Sequence, residues 1–69
     1  MNSFCERLKE LRTEKGLSIR ATASQLGITF GAYAHYEQGV REPSMEMLKK
    51  ICTLFNVSSD YLIGLSDSY

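Results

Sequence analysis

Residues 17–39 read LSIRATASQLGITFGAYAHYEQG, and two start signals and two stop signals divide this stretch into a pair of short helices. Ser18 is a good N-cap, since its side-chain oxygen can accept one of the backbone N–H groups that the first turn of a helix leaves unsatisfied. The helix it opens runs to Gln25 or Leu26, with Ala23 and Leu26 facing inward, and ends at Gly27, where a positive φ carries no steric penalty. Thr29 caps the next helix. Ile28 before the cap and Tyr33 four residues after it are spaced to close as a hydrophobic staple, and this helix runs to about Gln38. A turn of about three residues centred on Gly27 sets the two helices roughly perpendicular, and the small Ala23 lets them cross closely.

The flanking segments read in the same way. Ser3 and Glu6 have the spacing of a capping box. Phe4, Leu8 and Leu11, with Cys5 beside them, repeat at helical intervals, and Gly16 stops that helix near Lys15. Between Gln38 and Pro43, Gly39 and Pro43 sit among polar residues and mark a surface loop. A fourth helix starts at Ser44. Its Leu48, Ile51, Cys52 and Phe55 form the inward face, Lys49 and Lys50 lie outside, and Asn56 ends it. Ser58 caps a short fifth helix with Asp60 in its first turn, Val57 and Leu62 as a staple, and Gly64 as its close. A polar tail, residues 66–69, follows. No strand-like alternation and no repeat occurs, so the expected architecture is all-α, five helices in a single domain spanning 1–69 with an ordered core of about 3–65.

The totals agree with one small core. The chain has 69 residues, 43% of them apolar, with five Gly and one Pro, a composition that folds but whose core gains from pairing with a second copy. No apolar run approaches the roughly 18 residues of a membrane span, and the first twelve residues lack a secretory pattern, which leaves the cytoplasm as the expected compartment. Cys5 and Cys52 have no CxxC spacing and read as buried reduced thiols.

Taken together, LRTEKGLS in the run that begins at Leu8, ATASQLGI at 21–28, YEQG at 36–39, REPS at 41–44 and LKKICTLFNVSSDYLIG at 48–64 resemble the lambda-repressor-like helix-turn-helix family, the Cro/C1-type regulators, over almost the whole chain. The resemblance implies that residues 29–37 form a recognition helix in the major groove of duplex DNA. By position, it implies base contacts from Thr29, Phe30, Gly31 and His35. Phosphate contacts are implied at Ser18, Ile19, Arg20, Gln38, Arg41 and Ser44. Arg12 and Glu37 fall where family members form a structural ion pair, and Tyr61, Leu62 and Leu65 are the expected dimer contact. The function implied is that of a homodimeric transcriptional regulator, a repressor that occupies an operator, with no cofactor and no metal.

Two departures qualify this reading. From Thr29 to Glu37 there is no Arg, Lys, Asn or Gln, the side chains that read guanine or adenine bidentately, so Phe30 or Ala32 against a thymine methyl and a single hydrogen bond from His35 are the contacts on offer. Ile19 stands where family members often carry a phosphate-gripping Gln, leaving the backbone N–H groups at that helix start to act with Ser18 and Arg20. The charge is also balanced, eight Lys and Arg against eight Asp and Glu, with a sequence pI near 6.5. A DNA-binding face therefore requires a local field, with acids such as Glu10, Glu14 and Glu46 on the other side. The alternative is an interaction module that turns the same face to a protein. Tyr33 and Tyr36 read as core rather than as stacking platforms. An enzyme is not expected: the lone His35 has no nucleophile or metal-ligand partners, and there is no phosphate-cradling glycine loop.

Overall fold

Four hydroxyl side chains start four of the five helices in the computed structural model, which describes residues 3–65. Ser18, Thr29, Ser44 and Ser58 each hold an extended backbone, and each side chain accepts from the N–H three residues on, at Ala21, Ala32, Met47 and Tyr61. The helices that follow are α2 (Ile19–Leu26), α3 (Phe30–Gln38), α4 (Met45–Phe55) and α5 (Ser59–Leu62); α1 is Ser3–Glu14. The Ser3 side chain, and with it the expected capping box, and the polar tail lie outside the described residues.

The stops are equally local. Gly27 has φ +73°, and the N–H groups of Gly27 and Ile28 close back on the carbonyls of Ser24 and Ala23. Asn56 ends α4 at φ +56°, the one non-glycine residue with positive φ among the described residues and a residue type that tolerates that conformation.

The core is where α1, α2, α3, α4 and α5 meet. Leu8, Tyr33, Ile51 and Leu62 are completely buried, and Leu11, Ala23, Leu26, Tyr36 and Phe55 join them in one cluster. Here α3 packs on both α1 and α2, α2 also meets α4, and α5 bridges α1 and α4. Burying one such Leu stabilises the fold by about 2 kcal/mol, which is why a chain this short depends on a handful of them. Thr22 is also fully buried, and its hydroxyl donates to the carbonyl of Ser18 at 2.9 Å, so its polar atom is satisfied.

Two expectations need correction. Leu62, read as a dimer contact, is fully buried under α1 and α4 because the staple position of α5 faces the core; it is not available to a partner. The cysteines are free, as expected, but only half-buried. Burial still pushes the Cys52 thiol up from its ordinary range. The Ile19 side chain is packed against the core, which agrees with the expectation that only the backbone is left for an anion at that position. Among the described residues, no helix is long and apolar enough to cross a membrane, and no group of His, Cys, Asp and Glu is placed to hold a metal ion.

Candidate nucleic-acid interface

Helix α3 has two unlike sides. Tyr33, Ala34 and Tyr36 are buried, with the Tyr33 and Tyr36 rings meeting edge to face at 6.3 Å. Gly31, His35 and Gln38 are exposed, and at i, i+4 and i+7 they form one stripe along the helix. Thr29 and Phe30 stand at its N-terminal end, and the Phe30 ring is 46% exposed. Of the four residues expected to face a groove, all are therefore at the surface; Gln38, expected to touch phosphate, continues the same stripe.

The inward side is pinned at its C-terminal end. The Arg12 Nε donates to Glu37 Oε2 at 2.5 Å, Nη2 donates to Oε1 at 3.3 Å, and Nη1 donates to the Leu17 carbonyl at 2.8 Å. With side-chain exposures of 14% and 7%, this pair is shielded enough to be worth more than a loose surface contact. It ties α1, the link into α2 and the end of α3 into one corner, and the hydrogen bond that Arg12 donates to the Glu37 carboxylate holds the guanidinium firmly in its charged form. The Tyr33 hydroxyl lies buried beside this pair without a hydrogen bond of good geometry. Burial, reinforced by the Glu37 carboxylate, raises the Tyr33 phenol well above its ordinary pKa.

The helix starts of α2, α3 and α4 each carry a cap hydroxyl. In each cap the Ser18, Thr29 or Ser44 oxygen accepts from its own helix, which leaves the hydroxyl proton free to donate outward. The first backbone N–H groups of α2, at Ile19 and Arg20, have no intrahelical acceptor and point along the positive end of the helix dipole. Arg20 and Arg41 are exposed, and between residues 17 and 41 the acid is Glu37, which Arg12 neutralises. Glu42, next to Arg41, and Glu46, in the first turn of α4, are exposed as well, so the free cation beside α3 is Arg20 at the start of α2.

Two arrangements were not foreseen from sequence. The Arg20 guanidinium lies over the Phe30 ring at 5.1 Å from its centroid, joining the first turns of α2 and α3. On the far side, Arg7 covers the Tyr61 ring at 4.3 Å and donates to the Tyr61 carbonyl at 2.8 Å. Tyr61 is thereby engaged within the chain. Of the expected dimer contacts, Leu65 stands free at 76% exposed, and Ile63, not anticipated, joins it at 48%. Both pairings needed residues distant in sequence to be known as neighbours.

Comparison with known proteins agrees with this geometry. A family model described as helix-turn-helix matches residues 8–62. The transcriptional regulator AnsR of Bacillus subtilis (strain 168) is 46% identical over 59 residues, covering 86% of this chain and 51% of that protein. SinR, a master regulator for biofilm formation solved in complex with DNA, superposes with a TM-score of 0.78 at 28% identity over 86% of this chain and 95% of that one. The P22 c2 repressor, solved with a synthetic operator, shares the fold at a TM-score of 0.87 and 23% identity, over 96% of this chain and 100% of that one. The chain spans about half the length of the curated relatives it matches. With the packed α2–α3 pair, its cap chemistry and the Arg12–Glu37 corner all in place, the chain belongs to the helix-turn-helix family of lambda-repressor type.

Proposed function

We propose that this chain binds duplex DNA as a transcriptional regulator, with α3 laid in the major groove and the start of α2 against the backbone. The observation that carries the reading is the asymmetry of α3: one side is locked into the core and braced by Arg12–Glu37, while the other presents Phe30, Gly31, His35 and Gln38 beside the start of α2, where Arg20 and free backbone N–H groups stand. Thr29, Phe30, Gly31 and His35 meet base edges. Gly31 brings backbone close to the groove floor, since open space surrounds it. Ser18, the Ile19 N–H, Arg41, Gln38 and Ser44 meet phosphates.

Two copies bound through Ile63 and Leu65 place their α3 helices at half-sites roughly 34 Å apart, one turn of the duplex. Occupied in this way, an operator excludes polymerase, and the outcome is repression in the cytoplasm. Selection from random-sequence duplexes at two salt concentrations tests the reading. An enriched inverted repeat, bound less tightly as salt rises, is expected. The half-exposed Phe30 and the absence of bidentate base readers on residues 29–37 favour the rival, a protein-docking face. A chain that binds no duplex even at low salt would establish that rival.

A further inference from the structure

The sequence assigns Arg20 to the phosphates, but the structure turns it elsewhere. Its guanidinium carbon sits 5.1 Å from the centroid of Phe30, the first residue of α3, so the cation is gathered onto the tip of the helix proposed to enter the groove. We propose that Arg20 and Phe30 act together as one reader of a 5-methylpyrimidine–guanine step, Phe30 packing on the pyrimidine's C5-methyl and Arg20 donating to O6 and N7 of the guanine. The proposal rests on the DNA-binding reading and names what that site recognises.

Four observations converge on it. Phe30 is 46% exposed while Tyr33 and Tyr36 of the same helix are buried, so an apolar edge is offered to the partner and not to the core. Attraction between a cation and an aromatic face holds the long Arg20 side chain in one place, and the guanidinium keeps N–H donors at its rim for a bidentate acceptor. The separation of the two heads, 5.1 Å, matches neighbouring bases stacked about 3.4 Å apart with a lateral offset. Finally, residues 29–37 hold no bidentate base reader, and Glu37, the acid on α3, is taken by Arg12 and does not compete for Arg20. The missing guanine reader is thus supplied by the neighbouring helix.

Thymine and 5-methylcytosine present the same methyl, so the recognised step is TpG or methylated CpG. The test uses the full chain and the duplex that it selects. Replacing the thymine of the step by deoxyuridine, which removes only the methyl, is expected to weaken wild-type binding about fourfold. That difference should vanish in Phe30→Ala. Arg20→Lys, which keeps the charge but loses the fork, should relax the preference for guanine about tenfold while leaving the salt dependence unchanged. A duplex carrying 5-methylcytosine in place of thymine should bind well above its unmethylated counterpart, and its rank against thymine names the preferred source.

If deoxyuridine binds as well as thymine, or if Arg20→Lys and Arg20→Gln weaken all duplexes alike without altering the selected motif, Arg20 is a phosphate contact and the proposal is overturned. A wild-type motif without a 5-methylpyrimidine–guanine step overturns it while leaving DNA binding intact. Absence of any duplex binding by the wild type overturns both.

Discussion

The two sides of α3 are built to opposite specifications. On the inner side, Tyr33 and Tyr36 are packed to near-complete burial and Glu37 is clamped by two Arg12 donors, Nε and Nη2, while Nη1 reaches the Leu17 carbonyl. On the outer side, Phe30 is half exposed, Gly31 has no side chain and His35 faces solvent. Stability is concentrated where the helix meets the chain, and the face left over contributes little to folding. Such a division lets the exposed residues vary with the target while the scaffold is retained.

The comparison breaks most sharply at the brace. Glu37→Ala leaves the partly shielded Arg12 guanidinium without its anion and is expected to cost about 3 kcal/mol, read as a fall in the urea midpoint, whereas Arg12→Met with Glu37→Leu should recover most of it. If the single change costs nothing, the inner side is not braced in the way described. At the turn between the two helices, Gly27 holds φ +73°, so Gly27→Ala should destabilise by about 1–2 kcal/mol even though open space surrounds the new Cβ.

Tyr33→Phe removes a buried hydroxyl that lacks a hydrogen bond, and thermal unfolding should show a protein at least as stable as the wild type, by up to about 1 kcal/mol. The same change carries a pH signature. The phenol's pKa is raised in the folded state, so its contribution is complete below the unfolded value and is lost as pH rises above about 10. Part of the alkaline loss of stability should disappear in the Phe variant.

Smaller effects sharpen the outer side. Gly31→Ala meets no neighbour and should stabilise α3 by about 0.5 kcal/mol in denaturant while weakening duplex binding, a trade expected only of a helix that sits deep in a groove. Phe30→Ala and His35→Ala should shift unfolding by less than about 0.5 kcal/mol. A larger loss would place either residue in the scaffold instead of the reading face.

Most of the fold could be read from single positions because its signals are local. Each N-cap hydroxyl and each helix-ending Gly or Asn acts within five residues of itself, and the structure repeats those readings at Ser18, Gly27, Thr29, Ser44 and Asn56. What escaped depends on contacts across the fold. Arg7 and Tyr61 are separated by 54 residues, and nothing in either neighbourhood announces their pairing. The error at Leu62 has a different cause: the sequence offered it both as the staple partner of Val57 and, by family resemblance, as a dimer contact, and its complete burial leaves only the first role. At the candidate interface, the placing of residues 29–31 and 35 on the outer side was implied by the family resemblance, while the stacking of Arg20 on Phe30 required the crossing geometry of α2 and α3.

The most direct test of the division between the two sides is amide chemical-shift mapping of the full chain as a selected duplex is added. Shifts should concentrate at residues 18–20, 29–31, 35, 38, 41 and 44, with the core amides of α1 and the buried side of α3 nearly still. Shifts centred instead on α1 or the outer face of α4, with the Phe30–His35 stripe unmoved, would contradict the account.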